Sequence, residues 1–151
     1  MSDDCVFCQI IQKKSPASFI YEDHWVVAFL SNRPVNEGHT LVIPKNHYEN
    51  IYEMPDSELA YLSKVVKQIA HAVRATMVAE GIRVVQNNGS ASGQVVFHFH
   101  AHVIPLKPHE GFTHGTAYRE QTHGRLPEAL DIDAEKIRRH LRETQQLLIK
   151  I

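Results

Sequence analysis

The chain has 151 residues, a formal net charge of -1 and 43% hydrophobic residues, enough to build a core. A chain of this length suits one domain and buries about 70% of its unfolded surface. No basic block occurs, so wrapping a duplex by charge alone is not expected, nor is a stable nucleic-acid partner.

Met1-Ser2-Asp3-Asp4 is acidic, and no run approaches the roughly 20 apolar residues of a membrane span. No membrane partner is expected, and the setting reads as cytoplasmic. There the two cysteines, Cys5 and Cys8, are expected to be reduced or metal-bound rather than disulfide-linked.

In chain order, a short helix is predicted over residues 8–12, ended before Pro16. Phe19–Glu22 and Val26–Leu30 read as a hairpin around Asp23-His24, and residues 40–43 as a third strand stopped by Pro44. Asp56 is the expected N-cap of a long helix. Leu59, Leu62, Val66, Ile69, Val73 and Met77 keep helical spacing, and Gly81 is its stop. Residues 82–86 form a fourth strand, 87–93 a turn-rich loop, and 95–104 a fifth strand stopped by Pro105. Residues 107–131 read as a long loop, which usually means function or mobility. Its glycines and its His109, His114 and His123 suit either a mobile segment near the pocket mouth that gates the leaving group or a solvated surface loop. A last helix is expected from about Ala134, capped by Asp133, with Ile137, Leu141, Leu148 and Ile151 on one face. Strands in meander order around one long helix give an antiparallel α+β domain. The expectation is one domain over residues 1–151, with its core in 5–105 and a C-terminal loop and helix in 106–151.

The most telling stretch is His98-Phe99-His100-Ala101-His102-Val103-Ile104. In a strand, side chains alternate faces, so the three histidines share one face about 6.6 Å apart, and Phe97, Phe99, Ala101 and Val103 share the other. Burying polar rings in a row is costly unless each has a partner. Three readings compete: a metal site, nucleophilic catalysis by one imidazole, or a merely structural row. Cys5 and Cys8 have the gap of a zinc half-site, but two ligands do not close a tetrahedron. The 87–93 loop is no Walker A sequence, since it lacks Gly-Lys-Ser/Thr, and Ala91 stands where a nucleophile elbow needs serine.

The run Gly93-Gln94-Val95-Val96-Phe97-His98-Phe99-His100-Ala101-His102-Val103-Ile104-Pro105 resembles the motif of the histidine triad family of nucleotide hydrolases and transferases. Gly38-His39-Thr40-Leu41-Val42-Ile43-Pro44-Lys45, followed by His47, is similar to that family's second block. Cys5-Val6-Phe7-Cys8-Gln9-Ile10-Ile11 is similar to its opening. Residues 106–151 match only weakly, as a C-terminal extension of bacterial-type members.

The resemblance implies a five-stranded antiparallel sheet with one long helix, a short N-terminal helix and a C-terminal helical extension, assembled as a homodimer. It implies a purine nucleotide substrate carrying a leaving group on its α-phosphate. His100 would attack that phosphorus, His102 would hydrogen-bond the phosphate or leaving group, and His98 would hold the geometry. His39 would belong to the same network. Asn87, Gly93, Gln94 and the Val95 N–H would supply donors to the phosphate. Phe7, Ile11, Phe29 and Leu41 would line the base pocket. Zinc would be structural, held by Cys5, Cys8, His47 and His98, with an unmetallated cysteine pair as the alternative. Where many members carry an aspartate for the ribose, this chain has Ser31, followed by Asn32. Where many have a hydroxyl residue before the triad, it has Val95. A nucleotide-binding regulatory module with little turnover, or a zinc protein without a nucleotide role, are the rival readings.

Overall fold

A computed structural model describes residues 2–108 and 123–149, the side chains of 146–149 excepted. Most of the loop expected over 107–131, including His109 and His114, lies outside the described residues, as do Ile151 and the side chain of Leu148. The elements run α1 (Val6–Ile11), β1 (Phe19–Glu22), β2 (Val26–Leu30), β3 (Thr40–Pro44), α2 (Asp56–Thr76), β4 (Gly81–Gln86), a single 3-10 turn (Ser90–Ser92), β5 (Ala101–Leu106) and α3 (Pro127–Ile149). Every strand pairing is antiparallel. The α+β class, the five-stranded sheet and its three helices are as the sequence implied.

The strand order β1-β2-β3-β5-β4 is not a meander. After β3 the chain crosses through α2, and β5 enters between β3 and β4. His102 therefore pairs with Leu41 on one side and Val85 on the other. A run of apolar strands cannot reveal this insertion, because each strand carries the same pattern whichever neighbour it takes.

The sheet buries both faces. Ala28, Leu30, Val42, Ala101 and Val103 point to the side covered by α2 and α3, in one cluster with Leu62, Ile69, Val73 and Ile137. Each fully buried side chain of this kind contributes about 1.5–3 kcal/mol. Val27, Phe29, Leu41 and Ile43 alternate to the other side, where α1 supplies Phe7 and Ile10. The period-2 alternation of side chains thus sorts two cores from the same strands. The histidine row falls on the α1 side.

Several boundaries differ from expectation: α1 spans Val6–Ile11 rather than 8–12, and β5 runs past Pro105 to Leu106. Asp56 is the first helical residue of α2, not its N-cap. Pro55 holds the cap position at φ -60 and ψ 141, and its fixed φ makes it a natural helix opener. The helix stops at Thr76 rather than running on toward Gly81, because Val78 takes a left-handed φ of 51. The fifth strand starts at Ala101, not at residue 95. Before it, the Phe99 N–H donates to the Tyr48 carbonyl at 2.6 Å instead of joining a ladder. Val95 and Phe97 are consequently exposed, and Phe97 does not share the buried face of Phe99. Finally, α3 opens at Pro127, and Asp133 lies inside it. Proline at a first helical position is the favoured start, and Leu130, Ala134 and Ile137 form the buried stripe.

Gly38, which leads into β3, has φ +90, and a Cβ there would stand 2.5 Å from Cγ of Met77. Only glycine combines that backbone with so close an approach of the α2 end. His39 follows it directly.

Candidate active site and metal centre

His98, His100 and His102 are all buried, as is His39. His102 comes from β5, His39 from the residue before β3, and His98 and His100 from the segment leading into β5. The expected row is realised although only its last member lies in a strand. The His100 and His102 rings are 4.8 Å apart, and the His39 and His102 rings 5.2 Å.

Each ring has one nitrogen fixed by a neighbour, which assigns its tautomer. His100 Nδ1 lies 2.7 Å from the His98 carbonyl. A carbonyl only accepts, so Nδ1 carries the proton and Nε2 keeps its lone pair. The Val35 N–H donates to His39 Nδ1 at 3.1 Å, so the His39 proton is on Nε2. That nitrogen is 3.0 Å from His102 Nδ1. His102 then accepts at Nδ1 and carries its proton on Nε2. His98 Nε2–H donates to the Pro44 carbonyl at 2.8 Å, leaving its Nδ1 lone pair free of a proton.

Burial disfavours charge on all four rings. It pushes His39 and His102 down to about 3 and His98 to about 4, with neighbouring imidazoles adding repulsion. His100 is lowered too, again by burial, against an opposing pull from the His98 carbonyl. The row is therefore neutral near pH 7. Stability inherits this. The unfolded chain protonates His39 and His102 near 6.5, while the fold keeps them neutral down to about 3. Below pH 6.5 the unfolded state binds more protons, so stability is complete above that value and falls as pH drops toward 3. The urea midpoint should be lower at pH 5 than at pH 7.5, and His102→Asn should flatten the slope. Equal midpoints at both pH values would contradict neutral burial.

Phe7 from α1 stands edge-on to His100 at 5.2 Å, to His98 at 6.0 Å and to Phe29 at 5.6 Å. The proposed base residues Phe7, Phe29 and Leu41 thus fall in one apolar cluster, with Ile11 at its margin. Ser31 is buried at the end of β2, and its Oγ accepts the Arg33 N–H at 3.3 Å. Asn32 is exposed, and its carbonyl accepts the Arg125 N–H at 3.3 Å.

Asn87 leaves β4 one residue after the last rung, Gln86 opposite Ala101, and so at the level of His100. The loop beyond it is closed by Gln94. Its Oε1 accepts the Gly89 N–H at 2.7 Å, and its Nε2 donates to the Glu49 and Val96 carbonyls. The Gln94 side chain thus shapes the loop, and Gly93 turns the chain at φ +91. Val95 follows, with its side chain outward.

Behind the row, Cys5, Cys8, His47 and His98 bring their ligand atoms within 4.8 Å of one another. Cys8 Sγ is 3.3 Å from His47 Nδ1 and 3.6 Å from His98 Nδ1. Cys5 Sγ is 3.6 Å from His98 Nδ1, and the two Nδ1 atoms are 3.2 Å apart. A tetrahedral ion with sulfur at about 2.3 Å and nitrogen at about 2.0–2.1 Å requires ligand edges of roughly 3.3–3.8 Å. The donor set fits. The Pro44 carbonyl on His98 Nε2 is the outer partner that turns a ligating imidazole's Nδ1 toward a metal. Burial raises the Cys8 thiol, and a divalent cation would reverse that by stabilising thiolate.

An antiparallel sheet in which β5 and the segment leading into it present neutral imidazoles beside an apolar cluster, backed by a Cys2His2 cluster, defines a class of site. Residues 12–109 match the HIT domain family, and the chain belongs to it. It is 40% identical over 107 residues to the adenylylsulfatase HINT3 of Arabidopsis thaliana, covering 71% of this chain and 54% of that protein. It superposes on a hypothetical histidine triad nucleotide-binding protein from Sulfolobus tokodaii with a TM-score of 0.82 and 35% identity, covering 92% and 93% of the two chains. A zinc-bound histidine triad family protein from Mycobacterium smegmatis matches with a TM-score of 0.81 and 32% identity, covering 95% and 97%.

What the sequence did not signal are the backbone groups that orient the rings: the Val35 N–H and the carbonyls of Pro44 and His98. Main-chain donors and acceptors are present at every residue, so no side-chain pattern marks the ones that matter.

Proposed function

We propose that this protein hydrolyses nucleoside 5′-phosphates bearing a leaving group on the α-phosphorus, through a nucleotidyl-His100 intermediate. The carrying observation is the His100 ring, neutral and with Nδ1–H bound to the His98 carbonyl, so that Nε2 is a lone-pair nucleophile. Its Nε2 attacks phosphorus and the bond to the leaving group breaks, that group departing with the electron pair. The ring becomes a phosphorylated imidazolium, whose positive charge the His98 carbonyl stabilises. The His102 Nε2–H donates to the charge that develops on phosphate or leaving group. Water then forms the new P–O bond, the P–N bond returns its pair to His100, and a proton goes to solvent. Splitting one displacement into two lowers each barrier.

The base would lie in the Phe7, Phe29 and Leu41 cluster, an apolar slot that suits a purine. The donors of Asn87, Gly93, Gln94 and the Val95 backbone would face the phosphate. Zinc in the Cys2His2 cluster would be structural, since four protein ligands leave no open position. A homodimer belongs to the same reading. β4 ends the sheet, and its Val84 is half exposed, so the edge is available to a second copy. The reduced cysteines and the absence, among the described residues, of any helix able to span a membrane agree with a cytoplasmic enzyme on small nucleotides.

The test is a panel of adenylyl sulfate, an adenosine phosphoramidate, an adenylylated amine and a diadenosine polyphosphate, with release of nucleoside monophosphate measured. Turnover of at least one is expected. Nucleotide binding without release from any of the four would make the protein a binding module instead.

Ser31 gives a second expectation. A carboxylate at this place would accept the ribose hydroxyls with charged hydrogen bonds of about 1.5–3 kcal/mol, against roughly 1 for a neutral hydroxyl. Wild type should separate ribo- from 2′-deoxyribonucleotides poorly in kcat/KM, and Ser31→Asp should improve the ratio by about fivefold. A strong ribose preference that Ser31→Asp leaves unchanged would assign sugar recognition to another group, Asn32 first.

A further inference from the structure

The return of the chain after residue 122 lies against the loop 32–37. The His123 N–H donates to the Pro34 carbonyl at 3.1 Å, and the Arg125 N–H to the Asn32 carbonyl at 3.3 Å. The Arg125 guanidinium then reaches in two directions. Its Nε and Nη2 donate to Asp133 Oδ2 at 3.0 and 2.7 Å, and its Nη1 to Glu37 Oε1 at 3.0 Å. Asp133 is 3% exposed on the inner face of α3, so its charge depends on this partner. Because the guanidinium is a rigid planar fork, holding one edge on Asp133 aims another nitrogen at the loop.

That loop holds His39 at two points: the Asn36 carbonyl accepts the His39 N–H at 3.1 Å, and the Val35 N–H meets the ring, which is the deciding contact. The Val35 N–H on His39 Nδ1 makes that nitrogen an acceptor. His39 must then donate from Nε2 to His102 Nδ1, and His102 must present Nε2–H outward. We propose that Arg125, held by Asp133, is a positioning residue for the reaction. It fixes the 32–37 loop so that the Val35 N–H sets the tautomers of His39 and His102. This rests on the reading of the triad as the reacting site.

If the loop shifts, the Val35 N–H turns to water and His39 can carry its proton on Nδ1. His39 Nε2 then accepts from His102, and His102 turns a lone pair instead of a donor toward the phosphate. The chemical step suffers while the base pocket, on the α1 side, is untouched.

The experiment compares Arg125→Met, Asp133→Asn and Glu37→Gln with wild type on a fluorogenic adenosine phosphoramidate, alongside 15N imidazole NMR of His39 and His102. Glu37 is largely exposed, so its variant folds even if Asp133→Asn does not. Arg138→Met is the control. It cuts the tie of α3 to the Phe19 carbonyl without touching the loop. We expect kcat to fall about ten- to hundredfold in Arg125→Met, the range for a small misplacement at a reacting centre, with less in Glu37→Gln. KM should hold, and His39 and His102 should show mixed tautomers. Arg138→Met should keep wild-type kcat and tautomers. Unchanged tautomers in Arg125→Met, or an equal kcat loss in Arg138→Met, would overturn the proposal. Should wild type release no nucleotide from the probe, the functional reading fails, and the tautomer spectra alone decide the role of Arg125.

Discussion

Replacing His100 with alanine should abolish turnover while leaving the fold in place. The ring is buried and its Nδ1 is bound to the His98 carbonyl, so only Nε2 remains for chemistry. Removing a nucleophile forfeits the covalent route altogether, a loss of at least about a thousandfold in kcat. The stronger evidence is the adduct. Wild type mixed briefly with an adenosine phosphoramidate and quenched in base should carry one adenylyl group per chain, at an acid-labile phosphoramidate bond. His100→Ala should carry none. A variant that turns over normally, together with a wild type that never accumulates the adduct, would mean that water attacks directly.

The second large effect is expected from removing metal. Elemental analysis should find zinc at about one equivalent per chain. An ion that binds only the folded chain stabilises it by about 4 kcal/mol at a thousandfold excess over its dissociation constant. For a chain of this size that is roughly 8–16 °C in Tm. Chelation, or Cys5→Ser, should lower Tm by that order, because the cluster ties α1 to the segments after β3 and before β5. A zinc-free wild type that melts with Cys5→Ser would remove the metal centre from the account.

Much of this architecture was legible from residues because its boundaries coincide with strong local punctuation. The three strands before α2 come at the predicted places, flanked by Asp23, Gly38 and Pro44. The α2 stripe is legible because 3.6-residue spacing over many turns has no competing reading. β5 was extended too far back because Val95-Val96-Phe97 is as apolar as a core strand. Its true start depends on where the Phe99 N–H goes, a contact with Tyr48 that lies far away in sequence. The start of α3 was misplaced because Asp133 has the chemistry of a cap. In the fold that carboxylate meets Arg125, and Pro127 carried the better signal.

The candidate site divides in the same way. Spacing alone was enough to place the imidazoles on one face. The meeting of Cys5 and Cys8 with His47 and His98 came only through family resemblance, since 39 to 93 residues separate the partners. The orienting amides and carbonyls were beyond either route. Their role is defined by where the chain turns, not by which side chain it bears.

His98 faces two ways. Its ring offers Nδ1 to the Cys2His2 cluster, and its own carbonyl holds the proton of His100. The two ends thereby share one residue. If a metal ion tightens nucleotide binding by some factor, a bound nucleotide must tighten the ion by the same factor. A protein kept charged with nucleotide would then give up its metal more slowly than an idle one. Cellular nucleotide supply and metal retention would be two readings of a single coupling free energy, carried through one residue.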